Sequence, residues 1–280
     1  MYHISDIKIL NSVESFKIKH AKTNNPASDA SVFIYETYKI SILLSDGLAA
    51  VSGNKIMPAK TGDVFVFRPD EIHFGRFLQS GIHEYLDIYL PESFFNCFAK
   101  DVSNIKNIFT DTSKNRSNII TPSLKDCEKI ISFAKSLTAC AENPSFENQI
   151  YAFSLVLQLL LLLSTLYENQ KRSHAFPIPQ CVTNTLSYIS EHYSETITLS
   201  NLSSLSKCSI AYLSKTFKKY TGISIYTYIT GYRISKAKTM LRSGFSVTET
   251  CYSCGFNDCS NFIKTFKKFV KITPFKFSKA

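Results

Sequence analysis

The chain has 280 residues, enough for two domains of ordinary size that each bury a core of their own. Apolar residues make up 44% of it and charged residues 19%, a balance that excludes a disordered or fibrous chain. Its net charge of +10 lies in residues 175–280, which carry 14 basic and 4 acidic side chains, whereas residues 1–174 carry 18 of each; only the second half is expected to meet a polyanion.

Neither export nor membrane insertion is expected. No N-terminal stretch combines a basic start, an apolar run and a small-residue cleavage site. The longest apolar run, Leu155–Leu166, is interrupted by Gln158 and Ser164 and is shorter than the roughly 20 residues of a membrane span. We therefore predict a cytoplasmic protein with no membrane partner, whose eight cysteines are reduced thiols.

Short β runs separated by turn residues fill the region from Ile34 to Leu90. The predicted strands are Tyr38–Leu44, Ala49–Ser52, Lys55–Pro58, Val64–Phe67 and Tyr85–Leu90. All four residues of Val64–Phe67 are apolar, which predicts a strand covered on both faces. Regular short strands of this kind predict a small barrel or sandwich.

From Ser123 onward the apolar spacing becomes helical. A first helix begins there, and a second runs from about Ser145 to Asn169 with leucines around most of its circumference. Such a helix needs partners on more than one side, so we expect it to pack on the strands and against a second copy of the chain. Residues 1–170 are thus predicted to be a sensor and dimerisation domain.

A break in the helical pattern follows. In Lys171–Pro179 two prolines flank Ile178, and the change in charge falls at the same place. We predict a linker over residues 171–180 and a second domain over residues 181–280.

The second domain contains an internal repeat at an offset of 49 residues. Lys215–Lys219 and Lys264–Lys268 are the same five residues, Lys-Thr-Phe-Lys-Lys. Because the sequence has no low complexity, a match of this length predicts two copies of one structural unit.

A short helix and a turn precede each copy. In the first, Thr198 is a predicted N-cap, and the helix is expected to bury Leu199, Leu202 and Leu205. In the second, Ser246 and Glu249 form a capping-box pattern, and Cys254-Gly255 marks the turn. Helix, tight turn and helix are therefore predicted twice.

The second helix of each unit is predicted to read DNA, because that helix of a helix-turn-helix lies in the major groove. Its inward positions are Leu213 and Phe217, or Phe262 and Phe266, which turns the neighbouring lysines outward. The candidate base readers are Ala211, Tyr212, Ser214 and Lys215 in the first unit, and Ser260, Asn261, Ile263 and Lys264 in the second. The candidate phosphate contacts, which set affinity but carry no sequence information, are Lys218, Lys219, Lys267 and Lys268.

A helix from about Ser224 to Leu241 is predicted to join the two units. About 18 residues span roughly 27 Å, close to the ~34 Å between successive major-groove faces of B-DNA. One rigid domain can thus place both second helices in adjacent grooves.

Spaced motifs across residues 182–278 resemble the AraC/XylS family of bacterial transcription regulators. The matching residues are Tyr212-Leu213-Ser214-Lys215-x-Phe217-Lys218-Lys219-x-x-Gly222, Arg233-Ile234-x-Lys236-Ala237-x-x-Met240-Leu241, Gly255-Phe256-x-Asp258-x-x-x-Phe262-x-x-x-Phe266-Lys267-Lys268 and Thr273-Pro274. The resemblance implies a DNA-binding domain of two helix-turn-helix units. It also implies a transcription regulator, more commonly an activator, with RNA polymerase as a further partner.

Three places depart from the family pattern. Cys251 and Cys254 replace a usual Ala and a usual aliphatic residue, and Phe277-Ser278 stands where Tyr-Arg is common. Lys271 stands where the second unit usually has Gly, so the same turn would require a positive φ at a lysine.

Upstream, Thr61-Gly62-Asp63-x-Phe65-x-Phe67-x-Pro69-x-Glu71-Ile72-His73 resembles the cupin-like sensor half of many such regulators. The fold class implied is α+β, with an N-terminal cupin-like β barrel, appended helices and a C-terminal all-α domain. Metal-dependent cupins supply paired histidines, and no His-x-His occurs here, so neither a metal nor another cofactor is expected. His73 is a candidate residue for a small-molecule effector pocket, or it caps or hydrogen-bonds the loop after its strand.

Three alternatives are weaker. Cys251, Cys254 and Cys259 resemble a zinc site, but no fourth ligand lies nearby and a helix-turn-helix core needs small apolar groups at the first two positions. No nucleophile elbow, phosphate loop or carboxylate pair indicates an enzyme. The third alternative is a sensor whose basic tail contacts an anionic partner without sequence preference. Such binding needs charge density but not two ordered reading helices.

Overall fold

The structure, a computed structural model, describes residues 16–24, 35–52, 55–71, 73–77, 81–96, 103–111, 118–169 and 179–279. The strands are β1 (Lys17–Asn24), β2 (Tyr38–Leu43), β3 (Leu48–Ser52), β4 (Lys55–Ala59), β5 (Val64–Phe67), β6 (His73–Phe77), β7 (Ile82–Leu90) and β8 (Ile119–Ile120). The helices are α1 (Glu92–Asn96), α2 (Ser103–Thr110), α3 (Leu124–Glu142), α4 (Phe146–Asn169), α5 (Gln180–His192), α6 (Leu199–Leu205), α7 (Ile210–Thr221), α8 (Ile225–Arg242), α9 (Val247–Ser253), α10 (Cys259–Val270) and α11 (Pro274–Phe277).

The strands form two antiparallel sheets. One has the order β1-β7-β2-β5-β8 and the other β4-β3-β6. Side chains of both sheets meet in one apolar cluster that includes Phe65, Leu48 and Met57. A closed barrel requires the edge strands to pair, and no ladder joins the two sheets among the described strands. The expected cupin-like barrel is therefore not closed, and the α+β class holds.

The central strands are buried on both faces, as predicted for Val64–Phe67. Val64 and Val66 point to the core shared with α3 and α4, whereas Phe65 and Phe67 point to the second sheet. Side chains alternate between the faces of a strand, which accounts for the all-apolar run.

Polar groups are also buried in the five-stranded sheet. The Lys39 ammonium lies 3.0 Å from a carboxylate oxygen of Asp87, and the Ser41 hydroxyl donates to the other oxygen at 2.6 Å. A buried charge of this kind needs such partners.

The long apolar helix α4 packs its Val156, Leu159 and Leu163 into the core of the N-terminal domain. By length and composition α4 is the one described helix that could cross a membrane. Most of its apolar residues pack against the sheet and α3, as expected from the sequence.

The C-terminal domain has two cores that share α8. Ile225, Tyr228 and Ile229 of α8 belong to the first core, and Ile234, Ala237 and Leu241 belong to the second. Of the predicted linker 171–180, the structure describes Pro179 and Gln180, and α5 begins at Gln180.

Candidate nucleic-acid interface

The first helix-turn-helix unit consists of α6 and α7. The Thr198 hydroxyl accepts a hydrogen bond from the Asn201 amide at 3.1 Å, which confirms the predicted N-cap. Leu202 is fully buried, but Leu199 and Leu205 are 41% and 45% exposed, so their predicted burial is wrong. A helix of seven residues has two turns, and only its central leucine faces the core.

Packing of α7 decides which of its side chains face outward. Leu213 and Phe217 are both fully buried, as predicted. Ala211, Tyr212 and Lys215 are consequently exposed, and Ser214 is half-buried beside them. Tyr212 leaves 56% of its surface exposed, so its ring is available for contact.

The second unit, α9 and α10, repeats this arrangement. Both hydrogen bonds of the predicted capping box between Ser246 and Glu249 are present. Phe262 and Phe266 are fully buried. The four predicted base readers of this unit, Ser260, Asn261, Ile263 and Lys264, are all exposed on α10.

Asp258 caps α10 and was not singled out from the sequence for that role. Its carboxylate accepts from the Ser260 amide at 3.0 Å and from the Asn261 amide at 2.9 Å. An aspartate before a helix is a common N-cap, so the sequence did contain the signal. The cap uses a negative charge to order the first turn of α10, which carries two of the candidate base readers.

The four predicted phosphate contacts lie in the last turns of α7 and α10 and are exposed: Lys218, Lys219, Lys267 and Lys268. The C-terminal end of a helix carries a partial negative charge, so these positions favour cations without DNA. Two acidic residues of this basic domain, Glu249 and Asp258, cap helix N-termini.

The second helices of the two units, α7 and α10, both end in the left-handed conformation. The C-cap of α7 is Gly222 with φ of 83°, and the C-cap of α10 is Lys271 with φ of 73°. The two positions are 49 residues apart, so the turn is kept although the glycine is not. The predicted positive φ at Lys271 is confirmed.

The loop after α5 ties the two units together, a role that the sequence did not reveal. Arg233 of α8 donates to the carbonyl oxygens of Tyr193 and Glu195, each at 2.7 Å. A Cβ at Gly255, in the turn of the second unit, would lie 2.7 Å from the Ser194 carbonyl oxygen. Arg233 and Gly255 therefore fix the second unit against a loop of the first.

His73 lies inside the N-terminal domain. Its ring stacks on Phe67 with centroids 3.9 Å apart, and its Nδ1 lies 3.0 Å from the Glu71 carbonyl oxygen. Burial, and secondarily the Lys39 ammonium, holds the pKa of His73 well below its usual value, so the ring is neutral. His73 thus contacts a loop, as one of the two expected roles has it, but this loop precedes its strand β6 and does not follow it.

Cys251 and Cys254 are fully buried in the second core. The Cys254 thiol lies 3.7 Å from the Met240 sulfur, and desolvation raises its pKa to about 11. Among the described residues, no group of three or more metal-ligating side chains is arranged to hold an ion.

Comparison with known proteins finds similarity that lies mainly in the C-terminal domain. Residues 202–280 match the family model described as a helix-turn-helix domain. An uncharacterised response regulatory protein of Staphylococcus epidermidis is 32% identical over 98 residues, 35% of this chain and 39% of that protein. The HTH-type transcriptional activator RhaS of Escherichia coli is 28% identical over 152 residues, 52% of this chain and 53% of RhaS.

The chain thus spans about half or less of the length of these curated relatives. A solved structure of ToxT from Vibrio cholerae matches 95% of this chain and 98% of its own, with 13% identity and a TM-score of 0.41. That likeness is too distant to assign a function.

Proposed function

Since the chain belongs to the AraC/XylS family of bacterial transcription regulators, we propose that it binds double-stranded DNA at a preferred sequence and regulates transcription there. Its two reading helices, α7 and α10, enter adjacent major grooves. The exposed residues at the start of each helix read base edges, and the lysines of the last turns contact phosphates.

One observation carries the proposal. α7 and α10 present equivalent exposed faces, their inner faces are fully buried, and α8 with Arg233 holds the two units together. A basic tail that bound any polyanion would need charge density but not two ordered, equivalent helices. Membrane or nonspecific polyanion binding is therefore the lesser alternative.

The regulator is further proposed to be a cytoplasmic activator that responds to a small-molecule effector and works as a homodimer. RhaS is named as a transcriptional activator, which supports activation and with it a contact to RNA polymerase. The two-sheet sensor is the half that would take the effector in a cupin-like manner, with His73 as a candidate contact. No catalytic step is assigned to the chain.

A random-oligonucleotide selection with the full chain tests DNA recognition. We expect enrichment of one sequence with two conserved segments about 10 base pairs apart, the spacing of successive major grooves. Footprinting on the enriched duplex should protect both segments. Recovery of duplexes with no shared sequence, at an affinity that depends only on length, would overturn the proposal in favour of the nonspecific alternative.

A further inference from the structure

A cleft opens on the first helix-turn-helix unit, where α6, α7 and the start of α8 meet. Its volume is about 280 Å³, and we call it the α6–α8 cleft. Helix α7 contributes two polar residues to its lining, Ser214 and Lys218. Most of the lining is apolar and consists of Ile197, Leu199, Leu202, Ile225, Tyr226 and Ile229. An apolar cleft with a few polar groups is the usual form of a small-molecule site.

The apolar lining is only partly covered by the protein itself. Leu202, Ile225 and Ile229 are buried and close the bottom of the cleft, whereas Leu199 is 41% and Tyr226 is 74% exposed. The burial that the sequence predicts for Leu199 is therefore not supplied by this domain. A molecule in the cleft would remove this apolar surface from water, which favours binding.

The volume of the cleft limits the size of the occupant. A cavity of about 150 Å³ is known to hold benzene, so a cleft nearly twice as large takes a body of about two fused rings. A chain segment could place no more than one or two side chains there. The size thus favours a small molecule over a macromolecular partner.

The charge around the cleft favours an anion. Ser214 and Lys218 are four residues apart and therefore lie on the same side of α7. None of the described residues that line the cleft is acidic, and the cleft belongs to the half of the chain that carries the net charge of +10. An anionic group would accept a charge-assisted hydrogen bond from the Lys218 ammonium, whereas a cation would meet no countercharge.

The apolar floor is specific to the first unit. Lys267 is the counterpart of Lys218 in the repeat, so both units carry the charge. Counted from the N-caps of their helices, however, the counterparts of Leu202 and Ile229 are the polar residues Thr250 and Ser278. The helix-turn-helix fold does not itself require an apolar floor at this place.

We propose that the α6–α8 cleft binds a small amphipathic anion, whose apolar body lies between α6 and α8 and whose charge meets the Lys218 ammonium. Lys218 is also a proposed phosphate contact and Ser214 a proposed base reader. An anion held there occupies the place of the DNA phosphate, so the ligand competes with DNA for the first unit. This competition rests on the proposed DNA-binding function, but binding in the cleft does not.

The site is tested without DNA by fluorescence titration of the full chain. The probe is anilinonaphthalene sulfonate, an anion with two fused rings, and phenylnaphthylamine is its uncharged counterpart. Leu199→Asn removes an apolar wall of the cleft, and Leu205→Asn is the matched control. Both leucines lie on α6 and are similarly exposed, at 41% and 45%, but only Leu199 lines the cleft.

We expect the wild-type chain to bind the sulfonate more tightly than the uncharged probe. Leu199→Asn should raise the Kd for the sulfonate at least about threefold, because the ligand covers the exposed part of this leucine. Leu205→Asn should leave that Kd unchanged. Lys218→Gln should raise it about three- to fivefold, the range of an exposed charge pair, and should leave the Kd for the uncharged probe unchanged.

Competition is measured with the duplex that the full chain enriches. With the sulfonate at about ten times its Kd, mutually exclusive binding raises the apparent Kd for the duplex about tenfold. In Leu199→Asn the same sulfonate concentration should raise it about fourfold or less, because the probe binds more weakly.

Equal sulfonate affinities of Leu199→Asn and Leu205→Asn would overturn the site, since the probe would then bind at another apolar surface. A wild-type chain that binds both probes equally would overturn the anionic ligand. An unchanged affinity for the duplex at saturating sulfonate would overturn the competition. Failure of the wild-type chain to prefer any duplex would instead contradict the proposed function, and the titrations without DNA would still report on the cleft.

Discussion

At the scale of single residues, Lys271 shows how a turn survives the loss of its usual residue. Its φ of 73° is the conformation that Gly222 adopts at the equivalent place in the first unit. The Lys271 ammonium donates to the Lys268 carbonyl oxygen at 3.1 Å, which partly satisfies the end of α10. The Lys271 amide also donates to the Lys267 carbonyl oxygen at 2.9 Å, as the Gly222 amide does to that of Lys218.

Replacing Lys271 by glycine should stabilise the domain. The left-handed conformation costs a residue with a Cβ about 1–2 kcal/mol, and glycine loses part of that gain through its freer unfolded state. We expect Lys271→Gly to raise the free energy of unfolding by about 1 kcal/mol in chemical denaturation, and Gly222→Ala to lower it by a similar amount. A loss of stability in Lys271→Gly would mean that the Lys268 contact outweighs the strain.

Asn261 is the residue of α10 best suited to read a base, because its amide can donate to and accept from adenine in the major groove. Asn261→Ala should relax the base preference at one position of the enriched sequence, by about 1–3 kcal/mol of discrimination, in a repeated selection. Asn201→Ala, an equally exposed asparagine on α6, serves as the control and should leave the preference unchanged. An unaltered preference in Asn261→Ala would remove Asn261 from the reading surface.

At the scale of elements, α4 has apolar residues on a buried side and on an exposed side. One packs into the sensor core, and the other leaves Ile150 at 44%, Tyr151 at 50% and Leu161 at 56% exposure. Ile150 and Leu161 lie on one side of the helix, and exposed apolar residues of this kind are available to a partner. This surface is where we place the proposed homodimer contact.

Leu161→Lys should therefore convert a dimer to a monomer at micromolar concentration, measured by sedimentation velocity. The charge would be buried without a partner in the dimer and solvated in the monomer. Leu124→Lys is the matched control, since Leu124 is 88% exposed at the start of α3 and should not affect assembly. A wild-type chain that sediments as a monomer would contradict the dimer.

At the scale of the whole molecule, charge is divided between the halves. The first 174 residues carry 18 basic and 18 acidic side chains, and the last 106 carry the entire net charge of +10. Asp70 and Glu36 of the sensor form ion pairs with Lys238 and Arg242 of the reading domain. The lysines at the ends of α7 and α10 stay exposed. The same division predicts where binding depends on salt.

Lys218→Ala should weaken binding to every duplex and reduce the slope of log K against log salt by about one, because each phosphate contact releases about one counterion. Lys125→Ala removes an equal charge from an exposed site of the sensor and should leave the slope unchanged. The slope is read from fluorescence anisotropy titrations over a series of salt concentrations. Equal slopes for the two variants would show that Lys218 does not contact phosphate.

Sequence alone determined the features that depend on neighbours along the chain. The caps at Thr198 and Ser246, the inward pairs of α7 and α10 and the strand Val64–Phe67 follow from spacing and residue type within a few turns. The left-handed conformation of Lys271 followed only from the family resemblance, on the condition that the usual turn is kept. The helix α5 and the strands β1, β6 and β8 were missed, because their apolar spacing is short or irregular and their partners are distant.

Only the tertiary structure decided how distant parts meet. Asp70 and Arg242 are 172 residues apart, and neither stands out in the sequence. The placement of Arg233 and Gly255 on the loop after α5, the separation of two sheets where a closed barrel was expected, and the docking of α8 on the sensor likewise depend on which surfaces come together. Periodicity specifies which face of an element is buried, but the partner of that face is chosen by the fit and charge of the assembled surfaces.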